Sequence, residues 1–123
     1  MAHLGLLDGD GRPRVLPVTF AACGDELWSA VDHKPKRDAT RELARVRWLR
    51  RNPSAALTID RYSDDWERLA WVQALGRVTI ADAPREDVLG ALADKYAQYR
   101  EEPPRGPYLG LRPERLLCWR ATR

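Results

Sequence analysis

The sequence predicts a mainly β (α+β) fold, a small β-barrel with two helices packed at its ends or flanks. Short apolar runs separated by turn residues fill the N-terminal part of the chain, which indicates a β-meander rather than alternating strands and helices. Two later segments instead have apolar residues at helical spacing. The length of 123 residues fits a single domain that spans 1–123.

The N-terminal part predicts a hairpin followed by a third strand. Residues 4–7 are apolar, a dense turn signal follows at 8–11, and a second apolar run covers 15–21. These three pieces predict a hairpin over 4–21. A second turn separates it from a short strand expected at 27–31.

The middle of the chain predicts one helix and two strands. After a polar loop, leucine and valine residues recur at helical spacing, so a helix is expected from about Ala39 to Arg51. Asn52 and Pro53 end it. A strand is expected at 55–60, and strict alternation predicts another at 67–75, with an acidic loop between them.

The C-terminal part predicts a second helix and two last strands. Pro84 begins this helix, with acidic residues in the first turn, as the helix dipole favours. The pair Pro103–Pro104 ends it. Two short extended segments, 108–111 and 116–119, are then expected on either side of Pro113.

Composition excludes several classes of protein. The chain has 21 Lys and Arg against 18 Asp and Glu, a net charge of +3, and 44% hydrophobic residues, which is typical of a folded globular protein. No apolar run approaches the roughly 18 residues that span a bilayer, and no signal-peptide pattern is present. Two cysteines form neither a disulfide framework nor a zinc motif, so we expect a cytoplasmic protein without a metal.

Common catalytic motifs are missing from the sequence. It contains no GxSxG elbow, no phosphate loop of the GxxxxGK[ST] type, and no GxGxxG before a helix. No residue is therefore assigned as a catalytic acid, base or nucleophile. If the protein is an enzyme, a bound cofactor is expected to supply the chemistry while the chain supplies position and charge.

The strongest local feature is a basic segment from Lys34 to Arg51. Eight basic residues stand there against two acidic ones, which gives the segment a net charge of +6. Three interpretations remain open: a solvated basic face, a binding site for phosphate or carboxylate groups, and, less favoured, a nucleic-acid contact.

Trp66 is the second feature, since it lies in an otherwise polar, acidic loop. A tryptophan is costly to expose, so its ring is expected to cover a flat ligand, a partner subunit or the rim of the barrel.

Four stretches occur in an order that resembles a known family. The stretches are Gly11–Phe20, Leu27–Lys36, Leu49–Pro53 and Asp64–Trp66. Together they resemble the pyridoxamine 5'-phosphate oxidase-like family, and within it the branch of probable coenzyme F-420 (deazaflavin)-dependent oxidoreductases. The resemblance implies a six-stranded split β-barrel of the FMN-binding type, with two flanking helices. It also implies a homodimer with a cofactor in each of two grooves at the subunit interface.

The same resemblance implies which residues contact the cofactor. Basic residues after the third strand and on the following helix would hold the phosphate: Lys34, Lys36, Arg37 and Arg45. Strand residues would lie against the ring, with a tryptophan closing the groove: Val18, Thr19, Ser29, Val31 and Trp66.

The function implied is an F-420-dependent oxidoreductase that transfers a hydride between the cofactor and a small organic substrate. The polyanionic tail of F-420 complements the basic segment. One alternative keeps the fold and binds FMN as a flavin oxidase or reductase. Another is a non-catalytic module that carries the cofactor or binds nucleic acid through the basic helix.

Overall fold

The computed structural model describes residues 1–31 and 43–121, which form antiparallel strands, three α-helices and one 3₁₀ turn. The strands are β1 (Ala2–Leu7), β2 (Pro13–Val18), β3 (Ala21–Cys23), β4 (Glu26–Ala30), β5 (Ser54–Arg61), β6 (Ala70–Ala81) and β7 (Tyr108–Arg120). The helices are α1 (Ala44–Arg51), α2 (Glu86–Lys95) and α3 (Ala97–Glu101), and the 3₁₀ turn covers Trp66–Arg68.

The strands form one curled antiparallel sheet. Their order is β2-β1-β5-β6-β7-β4-β3, so β2 and β3 stand at opposite edges. Only Thr19 and Phe20 separate these two strands in the chain. Because three Cα steps span at most about 11 Å, the sheet must curl until its two edges nearly meet. In the described residues the edges are joined by the chain itself, with no ladder of hydrogen bonds between them.

The mainly antiparallel fold is therefore confirmed, and the predicted barrel of six strands is wrong in its strand count. The described residues form a seven-stranded sheet that does not close. The predicted strand over 15–21 divides into β2 and β3. Between them the Thr19 hydroxyl contacts that of Tyr99, and the Phe20 amide donates to the Tyr96 hydroxyl.

The two segments expected around Pro113 are one strand, β7. Gly76 pairs with Pro113 while Leu75 pairs with Arg115, so Glu114 is the extra residue of a β-bulge. A proline is tolerated at such a position because the ladder needs no N–H from it. A Cβ at Gly76 would collide with the carbonyl of Arg112, which explains the glycine.

Apolar residues line both faces of the strands around β4. The interior face of the curled sheet carries the larger core, which comprises Ala2, Leu4, Leu6, Val18, Leu49, Leu57, Ala74, Val78, Leu109 and Leu111. The opposite face of β3, β4 and β7 packs under α2 and α3 through Ala21, Trp28, Ala30, Val88, Leu92, Tyr99 and Tyr108. Strand β4 is thus covered on both sides.

The helices agree in part with the expectations. Helix α1 ends at Arg51 as expected, with Val46 and Leu49 buried, while residues 39–42 of the predicted helix lie outside the described residues. The second predicted helix is two helices, since Tyr96 adopts an extended conformation (φ −122°, ψ 113°) between α2 and α3. Within 1–31 and 43–121, no helix is long and apolar enough to cross a bilayer.

The strand expected at 67–75 starts later, at Ala70. A 3₁₀ turn over Trp66–Arg68 precedes this strand. The carboxylate of Asp65 caps the turn by accepting a hydrogen bond from the Glu67 amide (3.1 Å). The β5–β6 connection is therefore a structured loop that contains Trp66.

Candidate functional site

Four of the predicted ring-contact residues flank one end of the β3–β4 hairpin in the chain. In that hairpin Ala21 stands opposite Trp28. Val18 and Thr19, which precede Ala21, therefore extend in the same direction as Ser29 and Val31, which follow Trp28.

Three of these residues are buried in the chain. Val18 is 7% exposed, Ser29 8% and Val31 6%. Ser29 stands opposite Leu109, a residue of the interior core, so its hydroxyl lies on the interior face. These exposures are of whole residues, so neither the side chains nor the backbone of Val18, Ser29 and Val31 present much surface in the single chain.

The polar groups at this end are already hydrogen-bonded within the chain. The hydroxyls of Thr19 and Tyr99 are 2.9 Å apart, and the Phe20 amide donates to the Tyr96 hydroxyl at 3.1 Å. The Val31 amide donates to the carbonyl of Pro107 at 3.1 Å. These bonds fix the backbone that leads into and out of the hairpin, and they occupy the Thr19 hydroxyl and the Val31 amide.

A lysine adds positive charge to the same region. The ammonium of Lys95, the last residue of α2, lies 3.1 Å from the centroid of the Phe20 ring and 5.5 Å from that of Tyr96. The electron-rich faces of aromatic rings attract such a cation. The sequence placed Tyr96 and Tyr99 only on an apolar helix stripe, and their hydroxyl contacts were missed because no local pattern reports a partner about eighty residues away.

The predicted phosphate-binding residues are only partly described. Lys34, Lys36 and Arg37 lie outside the described residues. Arg45 is in the first turn of α1 and is half-buried. That turn contains no acidic residue, so its free amides and the Arg45 guanidinium both favour an anion.

Trp66 lies apart from these groups in the described chain. It begins the 3₁₀ turn between β5 and β6, and its side chain is 74% exposed. In the sheet order β6 and β7 stand between β5 and β4. The chain therefore does not bring Trp66 into the β3–β4 hairpin, and its role there stays a prediction.

An ionic cluster lies on the helix-covered side of the hairpin. The guanidinium of Arg85 hydrogen-bonds to Asp87 at 2.7 Å and lies 5.0 Å from the Trp28 ring. That hydrogen bond is the main reason why the pKa of Asp87 lies below its usual value. Burial, with a smaller contribution from the nearby carboxylate of Asp87, raises the pKa of the Cys23 thiol, so this cysteine is not an activated nucleophile.

A second polar site lies in the β5–β6 loop. Arg61, Tyr62, Ser63 and Arg68 line a cleft of about 410 Å³. Sequence reasoning missed this site, although two arginines flank the acidic loop that contains Trp66.

The outer face of the sheet carries exposed apolar side chains. Trp71 and Trp119 stand directly opposite each other on β6 and β7, and both are partly exposed. Val15, on the edge strand β2, is also exposed on this face, in register with Gly5 of β1. These side chains lie at two separate places on the outer face, because the row of Val15 reaches β6 at Leu75, four residues from Trp71.

Comparison with known proteins establishes the class of fold. No protein-family model matches the sequence, and no curated protein matches it. Among solved structures, a heme binding protein from Mycobacterium smegmatis is similar with a TM-score of 0.74 and 20% identity, over 98% of this chain and 49% of that one.

Two further structures match most of both chains. A FAD-binding protein from Mesorhizobium loti has a TM-score of 0.68 and 18% identity, over 99% of this chain and 84% of that one. A proposed pyridoxamine 5'-phosphate oxidase from Listeria innocua has a TM-score of 0.64 and 18% identity, over 95% and 86%. The chain therefore has the fold of the pyridoxamine 5'-phosphate oxidase-like split-barrel proteins.

Proposed function

We propose that this protein binds coenzyme F-420 and acts as an oxidoreductase that transfers a hydride between the cofactor and a small organic substrate. The observation that supports this proposal is that Val18 and Thr19 precede, and Ser29 and Val31 follow, the paired residues Ala21 and Trp28 of the β3–β4 hairpin. Val31 lies three positions before Lys34, where the basic segment starts. A strongly basic segment next to these strand ends suits a planar cofactor that carries phosphate and carboxylate groups.

The chemistry of the available donors fits such a cofactor. Arg45 offers a guanidinium in a helical first turn that lacks acidic residues, and Lys34, Lys36 and Arg37 supply further positive charge in sequence. Planar guanidinium groups bind phosphate and carboxylate oxygens through paired hydrogen bonds.

In the proposed mechanism the chain contributes binding, orientation and exclusion of water. When bound, the deazaflavin supplies the ring carbon that carries the hydride. The Tyr96 and Tyr99 hydroxyls hold the 19–20 backbone in place, and the buried Val18 and Val31 keep the ring platform rigid. No side chain is assigned to proton transfer.

FMN is the second candidate cofactor. The observation that favours it is the similar structure named as a FAD-binding protein. FMN carries one phosphate and no polyanionic tail, so it needs fewer of the basic residues between Lys34 and Arg51. Binding of FMN would keep the site and change the chemistry to that of a flavin oxidase or reductase.

We also propose that the protein is a homodimer through the outer face of the sheet. Trp71, Trp119 and Val15 expose apolar surface on the face of the sheet opposite the core. A second copy would bury these rings, and Trp66 would then be able to reach the partner's groove. A monomeric mass in light scattering would overturn this part of the proposal.

The test is a titration of the protein with F-420 and, separately, with FMN, followed by quenching of tryptophan fluorescence at low and high salt. We expect saturable F-420 binding that is tighter than FMN binding and weaker at high salt. The variant Arg45→Gln is expected to weaken F-420 binding roughly tenfold, since it removes one charge-assisted contact.

Arg105→Gln is the matched control, because Arg105 is an exposed arginine in the loop before β7. If neither cofactor binds, or if both variants behave alike, the proposed groove is wrong. F-420 binding without oxidation or reduction of any acceptor would instead support a non-catalytic carrier.

A further inference from the structure

The cleft in the β5–β6 loop is not used by the proposed cofactor groove. Its lining contains two arginines, a tyrosine and a serine: Arg61, Tyr62, Ser63 and Arg68. We propose that this cleft binds an oxyanion, a phosphate or carboxylate group carried by a small molecule. The inference depends on the loop alone and goes beyond the proposed function.

The position of Arg61 is fixed by the loop itself. Its Nε donates a hydrogen bond to the carbonyl oxygen of Arg68 at 2.9 Å. A guanidinium has five N–H donors in a planar fork, so this bond holds the group in place while its Nη atoms keep donors for another acceptor. The bond also ties the two ends of the loop together, which brings the Arg68 side chain to the same cleft.

Neighbouring carboxylates do not neutralise these two arginines. Among the described residues, the ion pairs of arginines involve Arg14, Arg50, Arg85 and Arg112. None involves Arg61 or Arg68, although the loop is rich in acidic residues. An arginine pair without a carboxylate partner, inside an acidic loop, is expected where a bound anion completes the charge balance.

Two of the four acidic residues around the loop, Asp60 and Asp65, have positions that the structure accounts for. Asp65 accepts the Glu67 amide as the cap of the 3₁₀ turn. Asp60 stands opposite Trp71, and since alternate residues of a strand face opposite sides, it lies on the other face of β5 from Arg61. Ser63 accepts the Asp65 amide at 3.1 Å, so its hydroxyl hydrogen stays available to donate into the cleft.

The register of the sheet adds a third guanidinium to the same face. Arg61 pairs with Ala70 on β6, and Ala70 pairs with Arg120 on β7. Residues paired across antiparallel strands share a face, so Arg61 and Arg120 flank the small Ala70 with their Cα atoms about 10 Å apart. This row makes the sheet end beside the cleft basic.

The test uses the whole protein labelled with ¹⁵N and two probes, phenyl phosphate and glutarate. We expect saturable shifts of the Ser63, Asp65 and Glu67 amides and of the Arg61 Nε–H signal with at least one probe. The probe that binds more tightly identifies phosphate or carboxylate as the preferred group. Inorganic phosphate is expected to compete if the oxyanion alone is recognised.

Arg68→Gln is the decisive variant. It removes a cleft charge but keeps the backbone carbonyl that accepts the Arg61 hydrogen bond, so the loop is expected to stay folded. The dissociation constant should rise roughly tenfold or more, while Arg105→Gln, with the same loss of charge at an exposed site outside the cleft, should leave it unchanged.

Two results would overturn the proposal. One is the absence of saturable shifts in the loop with both probes. The other is equal weakening by Arg68→Gln and Arg105→Gln, which would mean that only the general charge of the surface attracts the anion. Both results leave the cofactor titration unaffected, because Arg45 is on a different element.

Discussion

The hydrogen bond between Thr19 and Tyr99 is predicted to stabilise the join between the two edge strands of the sheet. The two hydroxyl oxygens are 2.9 Å apart and part-buried, and 80 residues separate them in sequence. The perturbation is a double-mutant cycle with Thr19→Val and Tyr99→Phe, which remove one hydroxyl each and nearly conserve volume.

The magnitude follows from the surroundings of the pair. A net intramolecular hydrogen bond contributes about 1 kcal/mol, and a part-buried hydroxyl left without its partner costs about 1–3 kcal/mol. Each single variant should therefore lose about 1–2 kcal/mol of unfolding free energy, and the double variant should lose less than the sum. The expected coupling energy between the two positions is about 1 kcal/mol.

The cycle is needed because Tyr99 makes further contacts. Its ring packs against Tyr96 in an edge-on arrangement at 5.7 Å, and it has at least one further interaction. Tyr99→Phe alone would mix these effects, whereas the coupling term isolates the bond to Thr19.

The assay is urea unfolding followed by circular dichroism at one fixed protein concentration, because association would make stability depend on concentration. Additive effects, with a coupling below about 0.3 kcal/mol, would refute the claim that this bond stabilises the join. Loss of cofactor binding in Thr19→Val without loss of stability would assign the hydroxyl to ligand contact instead.

Two further predictions concern the side of the sheet that α2 and α3 cover. Gly110→Ala would place a Cβ 2.5 Å from Cζ2 of Trp28, which is 2% exposed and cannot move away, so unfolding free energy should fall by about 1–3 kcal/mol. Gly90→Ala, where a Cβ meets nothing within 4 Å, is the control and should not destabilise the protein in urea unfolding. Asp87→Asn removes a carboxylate whose folded pKa lies below the ordinary 3.8, chiefly through the Arg85 hydrogen bond. The stabilising effect of this carboxylate is present above pH 3.8 and is lost as the pH falls through its folded pKa. On acidification the variant should therefore lose less unfolding free energy than the parent chain. Parallel curves of unfolding free energy against pH for the two proteins would contradict this.

Local sequence patterns predicted most strands because most of them alternate between a core face and an outer face, whereas β4 is covered on both faces. The strand at 55–60 and the helix that ends at Arg51 were found in this way, and the structure has them as β5 and α1. What local patterns lack is information on which segments face each other. Gly76 and Pro113 each signal an interruption, but only the register shows that they meet in one bulge within a continuous hairpin.

The same limit applies to the break at Tyr96. Apolar periodicity predicted one helix from Pro84 to Pro103, since Tyr96 and Tyr99 fit a stripe that faces the sheet. The structure interrupts the helix because the Tyr96 hydroxyl accepts the Phe20 amide, a contact between residues 76 positions apart. Such a contact has no signature in the helical segment itself.

The candidate site was predictable where its residues are close together in sequence. Val18 with Thr19, and Ser29 with Val31, are near neighbours in sequence, and one hairpin is enough to join the two pairs. The cleft in the β5–β6 loop has a different origin, since Arg61 and Arg68 meet only through the Arg61 Nε bond to the Arg68 carbonyl. Sequence spacing alone does not report a bond from a side chain to the backbone.

Strand β4 connects these features physically. Its Ser29 faces the interior core, while Trp28 and Ala30 face the layer under α2 and α3, so neither face can shift without repacking one of the two cores. The tyrosines of that helical layer also hold the backbone at Thr19 and Phe20. Substitutions in α2 or α3 that loosen this layer should therefore weaken ligand binding at the hairpin even though they touch no ligand. The β5–β6 cleft is held by bonds within its own loop, from Arg61 to Arg68 and from Asp65 to Ser63, so it should keep its affinity in the same variants.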